Sequence, residues 1–281
     1  MKPGRESQTA VMVATARAAA HGRTPGVDFQ DPTALALLPD EARLRVEDLR
    51  SGAAPANLRV RFAREFLDRR AKMMVPRTVA IDEAVRAAAS PQLVILGAGL
   101  DGRAWRMPEL RDVTVFEVDH PDSQREKQAR AAALTRVARE VRFVPVDFTR
   151  DRLEDALAAA GHDPARPTTW IWEGVVMYLE RAAIEATLAV VQRRSAPGSH
   201  LILLYLSRAL ILPLVAFFLR RIGEPIRSLF TPDQMRTLLA RHGFTVTRDE
   251  GLPAIAARLS ADLARDTRIM KHMRVATAQR T

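Results

Sequence analysis

The run Gln92-Leu93-Val94-Ile95-Leu96-Gly97-Ala98-Gly99-Leu100-Asp101-Gly102-Arg103 restricts what this chain can fold into more than any other stretch. Five residues with a strong apolar bias end in a glycine-rich turn. A second apolar run, Val113-Thr114-Val115-Phe116-Glu117-Val118-Asp119, follows and ends in a carboxylate. A buried strand, a turn whose backbone N–H groups can face a ligand, a helix and a strand-end acid together make a nucleotide-type binding site. Gly97, Gly99 and Gly102 satisfy the dinucleotide pattern G-x-G-x-x-G, and Asp119 stands 20 residues past Gly99, where a ribose-binding acid is expected. A bare strand-to-helix turn without a ligand is the bland alternative.

From residue 92 the chain alternates. Strands are predicted at 93–97, 113–119, 141–146, 168–172, 199–206 and 244–248, with a weak one near 273–277. Helices are predicted between them: one opening near Asp101, one at 122–138 opened by His120-Pro121, and others at 151–160, 181–194 and 232–241. This order implies a mostly parallel seven-stranded α/β sheet with right-handed crossovers and helices on both faces. About 90 residues of largely helical sequence precede it, predicted as helices at 8–22, 33–49, 56–73 and 77–89, with a break at Val75-Pro76. They are expected to cap the domain, and no linker is long enough to split the 281 residues into two domains.

Residues 207–230 interrupt the alternation and read as an apolar lid insertion. The stretch 201–219 approaches the length of a membrane span, but Arg208 and Pro213 sit inside it and helical alternation flanks it. A buried strand leading into an apolar helix fits better, so no stable membrane insertion is expected. Cysteine is absent, which rules out a disulfide framework and a thiolate metal site; no metal is expected. The N-terminus lacks the apolar core of a signal peptide, which points to the cytoplasm. The formal charge is +10, and residues 181–281 carry 16 Arg and Lys against 7 Asp and Glu. These cations are scattered and lack interleaved aromatics, so a solvated surface is favoured over a nucleic-acid face. Oligomeric state is not readable from the sequence.

Two cofactor classes compete for the glycine turn: a nicotinamide dinucleotide and S-adenosylmethionine. The turn lies behind a long helical region, whereas dinucleotide folds often begin with it. Asp101 at the helix start would repel a pyrophosphate. Later strands also end in acids, Asp147 and Glu173, which suit a sulfonium, an amino group and ribose hydroxyls. There is no Tyr-x-x-x-Lys pair for an oxidoreductase.

Three blocks occur in order: Val94 to Arg106, Phe116-Glu117-Val118-Asp119-His120-Pro121, and Trp170-Ile171-Trp172-Glu173-Gly174-Val175-Val176-Met177-Tyr178-Leu179. Together they resemble the leucine carboxyl methyltransferase family, and within it a bacterial branch of S-adenosylmethionine-dependent methyltransferases. The resemblance implies a Rossmann-like fold and S-adenosylmethionine as cofactor. The family name suggests a protein C-terminal carboxylate as acceptor, whereas the apolar lid fits a small-molecule acceptor methylated on a carboxylate or hydroxyl oxygen better. It implies that Arg77 holds the cofactor carboxylate and that Gly97 and Gly99 let the backbone approach the methionine moiety. Asp119 would bind the ribose hydroxyls, Asp147 and Phe148 the adenine, and Glu173 the methionine end. Arg77 as a surface helix residue, and Asp147 and Glu173 as helix N-caps, are the bland readings. The chain departs from the branch at Gly102 and Trp105, where Thr and Tyr are usual. No histidine among His120, His162, His200 and His242 stands in a pattern that marks a general base, and Tyr178 is equally readable as core.

Overall fold

The computed structural model describes residues 7–24, 26–148, 150–207 and 225–281. Strand β1 (Gln92–Leu96) is buried along its whole length. Its side chains alternate between two cores: Leu93 and Ile95 join one cluster, Val94 and Leu96 the other. A strand buried on both faces reads as a continuous apolar run, which is why this one was visible in the sequence.

Around β1 stand β2 (Thr114–Asp119), β3 (Glu140–Pro145), β4 (Thr168–Trp172), β5 (His200–Leu206), β6 (Phe244–Gly251) and β7 (Met273–Arg280). The sheet order is β3-β2-β1-β4-β5-β7-β6. The strands from β3 to β5 pair in parallel, and β7 runs antiparallel between β5 and β6. The chain leaves β1 for β2 on one side and later returns to β4 on the other. The crevice at this reversal, beyond the carboxyl ends of the strands, is where such sheets bind ligands.

Helices α1 (Gln8–Ala20), α2 (Asp40–Arg50) and α3 (Leu58–Ala88) lie among the N-terminal residues. Ala14, Ala18, Leu37, Val46, Ile81 and Val85 from this region pack in one core with Leu93, Ile95 and Ile171 of the sheet. The opposite face is covered by α6 (Leu153–Ala159), α7 (Arg181–Arg193) and α8 (Pro232–Arg241), whose Leu157, Leu188 and Leu238 join Val94, Phe116 and Trp170.

Several expectations change. The predicted break at Pro76 does not occur: α3 is one helix of 31 residues through it. An interior proline costs about 3 kcal/mol, and tertiary packing offsets it here, because Met74, Val75, Pro76, Arg77 and Thr78 are all buried. The helix expected from Asp101 is a single turn, α4 (Arg103–Arg106). Residues 33–38 form turns, so the helix expected from 33 begins only at Asp40. The helix α5 (Pro121–Ala131) stops seven residues before the predicted 138. Residues 252–266, with no predicted element, form α9 (Leu252–Leu259) and α10 (Ala261–Asp266), and Ala256 and Leu263 pack on Ala71 and Val75 of α3. The apolar run beginning at 201 starts as buried β5, whereas most of the lid expected at 207–230, residues 208–224, lies outside the described residues. Among the described residues no helix is long and apolar enough to cross a membrane.

Candidate functional site

The glycine turn follows directly from β1. Gly97 and Ala98 both donate their N–H groups to the Val118 carbonyl, at 2.8 and 3.0 Å, which ties the turn to the end of β2. Gly97 and Gly99 hold φ at +71° and +45°, a region that side chains disfavour. A Cβ on Gly97 would collide with Val175, and one on Gly99 would come within 2.9 Å of the Ala10 Cβ. The loop after β4 and helix α1 therefore close on the turn from two sides. Gly102 has a packing reason of its own, since a Cβ there would overlap the Thr33 side chain.

A cavity of about 420 Å³ opens at this point, a size within the range of small-molecule sites. Arg77, Gly97, Gly99, Asp119, Asp147, Phe148 and Glu173, the residues singled out in the sequence, all line it. Their environments differ. Both Asp119 oxygens accept backbone N–H groups, from Gly99 at 2.5 Å and from His120 at 2.6 Å. Burial pushes its carboxyl above the ordinary range, against the pull of those two N–H donors. Each carboxylate oxygen has a second lone pair, so the group still has capacity to accept two hydroxyl donors. Asp147 meets Arg150 at 2.9 Å, and its neighbour Phe148 is 55% exposed although it is a large apolar ring.

Glu173 and Arg77 pair with each other, Arg77 Nε donating to Glu173 Oε1 at 2.5 Å. Arg103 Nη1 donates to the other oxygen at 3.0 Å. Burial works against the Glu173 charge, but Arg77 and Arg103 outweigh it and hold the carboxyl below its ordinary range. Both bland alternatives for this pair are thereby excluded. Arg77 is buried, and Glu173 is held by two guanidinium groups.

Behind the cavity lies an ion network with partners far apart in sequence. Arg103 meets Asp82 at 2.7 Å and also Asp101; Arg106 meets Asp82 at 2.7 Å; Arg17 meets Asp31 at 3.1 Å. Asp101 accepts the Arg103 backbone N–H at 2.8 Å and is buried. Burial opposes its charge, yet Arg103, Arg17 and Lys127 keep its carboxyl far below the usual range. Asp101 is thus a neutralised structural acid at a one-turn helix, and its expected repulsion of a pyrophosphate loses force. Sequence reading missed Arg17, Asp31, Asp82, Arg103 and Arg106. Their only local signal is the spacing of Arg103 and Arg106 on one turn. Beneath the turn, buried Glu117 meets Lys127 at 2.6 Å, and burial pushes the Glu117 carboxyl up to about 7 despite that lysine. Of the four histidines considered as bases only His120 lines the cavity, and Tyr178 lines it as well.

The family model for leucine carboxyl methyltransferase matches residues 10–192. This chain belongs to that family. Relatives within reach of it include a Frankia alni protein, 40% identical over 69% of this chain and 66% of its own length, that carries the name "Putative S-adenosyl-L-methionine-dependent methyltransferase". A Mycolicibacterium vanbaalenii protein of the same name is 36% identical over 69% of this chain and 65% of its own length. The chain thus spans two thirds or less of the length of these relatives. Among solved structures, a methyltransferase-named protein from Thermobifida fusca superposes with a TM-score of 0.60 at 14% identity, covering 100% of this chain and 97% of that one. A duf574 family protein from Streptomyces avermitilis gives 0.58 at 15% identity, covering 98% of each. At such identities the likeness speaks for the fold alone, the Rossmann-like seven-stranded sheet. The family match ends within α7, so β5 to β7 rest on the structure.

Proposed function

We propose that the protein is an S-adenosylmethionine-dependent methyltransferase acting on a carboxylate or hydroxyl oxygen of a small, fairly apolar acceptor. The observation that carries this reading is the free acceptor at the end of β2. Of the lining acids, Asp101 and Glu173 are neutralised by Arg103 and Arg77 and Asp147 meets Arg150, whereas among the described residues Asp119 forms no ion pair and accepts only backbone N–H groups. A carboxylate without a cationic partner beside the glycine turn accepts ribose hydroxyls and suits a ligand with a cationic sulfonium better than a pyrophosphate.

The residues fit the cofactor group by group. The Arg77–Glu173 pair is a zwitterion complementary to the amino-acid end of the ligand, with the guanidinium toward its carboxylate and Glu173 toward its ammonium. Asp119 has the acceptor capacity for a ribose diol. Phe148 offers an apolar face to an adenine ring, and Asp147 an acceptor for its amino group. Positive φ at Gly97 and Gly99 lets the backbone approach closely. When bound, the cofactor supplies a methyl group on a sulfonium, whose C–S bond breaks with its electron pair going to sulfur as the acceptor oxygen bonds to carbon. The protein's part is then alignment and exclusion of water. A carboxylate acceptor is already ionised near neutral pH and needs no base, consistent with a cavity whose one imidazole, His120, caps α5 by accepting the Asp122 N–H at 3.2 Å.

The test is transfer of a labelled methyl group to a panel of carboxylic acids, phenols and aliphatic alcohols. The expected result is label in a product ester or ether together with formation of S-adenosylhomocysteine. Label retained in the donor across the panel, with NAD rather than the donor protecting the protein from heat, would overturn the reading.

A further inference from the structure

Helix α1 passes over the glycine turn. Ala10, Val13 and Arg17 all line the cavity, and spacings of three and four residues put them on one face of the helix. Ala10 is the point at which this face meets Gly99. Ala10 and Val13 are small and apolar, and Arg17 carries the charge.

Arg17 on α1 and Arg77 on α3 border the same cavity from two helices. They are 4% and 5% exposed, so an N–H without an acceptor on either is costly. Arg17 Nη2 donates to the Leu100 carbonyl at 2.5 Å, and its Nε faces Asp31 Oδ2 at 3.1 Å. Among the described residues its Nη1 has no hydrogen-bond partner. Arg77 Nε donates to Glu173 at 2.5 Å and its Nη1 to the Met74 sulfur at 3.8 Å, so among the described residues its Nη2 has none either. That nitrogen lies beside Gly174, another wall of the cavity, where a Cβ would stand 3.0 Å from it. Each guanidinium is thus fixed through part of its fork and keeps one nitrogen unmatched.

The surrounding charges balance. Arg17, Arg77, Arg103 and Arg106 meet Asp31, Asp82, Asp101 and Glu173 in one buried network. A ligand group bearing a single charge would upset that balance, whereas a zwitterion adds no net charge. An unmatched guanidinium edge in a desolvated cavity is suited to a carboxylate oxygen.

We infer that Arg17 is a second binding residue for the cofactor carboxylate, which it shares with Arg77 through the two unmatched nitrogens. This deepens the methyltransferase reading and rests on it. The amino-acid end of the cofactor then bridges α1 and α3, with Glu173 left to its ammonium. A purely structural Arg17 would act only through Leu100 and Asp31, and would leave recognition of the carboxylate to Arg77 alone.

The probes are S-adenosylhomocysteine and its decarboxylated analogue, which keeps the adenosine, the thioether and the amine. Both are titrated calorimetrically into the full chain. Two charge-assisted contacts predict that S-adenosylhomocysteine binds about a hundredfold tighter than the analogue. Arg17→Gln is expected to lower this ratio to about tenfold, and Arg77→Gln to do the same. Arg17→Lys, whose ammonium lacks the fork that reaches Leu100, Asp31 and a ligand together, is expected to lower the ratio severalfold. Loss of the ties to Leu100 and Asp31 alone would weaken both probes equally and leave the ratio where it was. An unchanged ratio in whichever Arg17 variant folds, or equal affinities for the two probes in the unaltered protein, would overturn the inference. Binding of neither probe by the unaltered protein would sink the cofactor assignment itself, and the role of Arg17 with it.

Discussion

At the residue scale, the site is organised by pairs that sequence separates widely. Arg77 and Glu173 are 96 positions apart, and each was marked separately: Arg77 only by the family resemblance, Glu173 also by its place at the end of a strand. That they neutralise one another was not legible, because an ion pair between distant segments leaves no local pattern. The same holds for Asp82, Arg103 and Arg106. A buried charge is tolerated only when paired, and removal of one partner of such a pair typically costs about 3–5 kcal/mol, so these residues are structural even where they border the cavity. His162 shows the opposite case, a titratable group with no part in the site. Arg194 Nε donates to its Nδ1 at 3.3 Å, which leaves Nε2 as the protonated nitrogen facing Thr168 Oγ1 at 3.1 Å. Burial, and then the Arg194 charge, pushes its pKa down to about 4. The unfolded chain binds this proton near the ordinary 6.5 and the folded one does not, so the contribution is fully present above pH 6.5 and is lost as pH falls toward 4. The loss from this residue alone is roughly 3 kcal/mol. Nuclear magnetic resonance titration of the imidazole is expected to find it neutral at pH 5.5, and a midpoint near 6.5 would contradict this account.

At the element scale, the glycine turn is fixed by what packs on it as much as by what it can bind. Gly97 and Gly22 have similar φ, +71° and +65°, but very different surroundings. A Cβ at Gly22 meets nothing within 4 Å, whereas one at Gly97 strikes Val175. Gly22→Ala is therefore expected to cost only the left-handed backbone penalty, about 1–2 kcal/mol. Gly97→Ala should cost a further 1–3 kcal/mol, roughly, from overpacking. Denaturant unfolding of the two variants reads this directly, and equal losses would mean that Val175 moves aside freely. Strands were located well from sequence because β1 and β4 are buried on both faces and read as apolar runs. Helices were located less well for two different reasons. Local propensity ends a helix at Pro76, while the buried residues around it carry α3 through. The sequence suggests a helix start near Asp101, but the helix is a single turn: Met107 leaves helical geometry at φ −96° and ψ 110° and Pro108 opens a new 3₁₀ turn.

At the scale of the whole molecule, the parallel strands were legible because they are apolar runs separated by helical sequence, although the crossover from β1 to β2 holds only the single turn α4 and a 3₁₀ turn. The insertion of β7 between β5 and β6 was not, since an antiparallel partner arriving from the C-terminus obeys no local rule. Charge follows a similar division. The basic excess of the chain is global, whereas the pairing of the cavity acids emerges only in the fold, where Asp101 and Glu173 meet arginines and Asp119 meets backbone N–H groups alone. That unpaired acceptor beside the glycine turn is the basis of the cofactor assignment, and calorimetry tests it most directly. S-adenosylhomocysteine and NAD are titrated separately into the protein and into Asp119→Asn, with melting temperatures recorded alongside. The account predicts micromolar-range binding of S-adenosylhomocysteine, none of NAD, and an affinity about tenfold or more weaker in Asp119→Asn, with a cooperative transition at a lower melting temperature because the Asn amide nitrogen cannot accept the Gly99 or His120 N–H. Binding of NAD without S-adenosylhomocysteine, or an Asp119→Asn affinity equal to that of the unaltered protein, would contradict it.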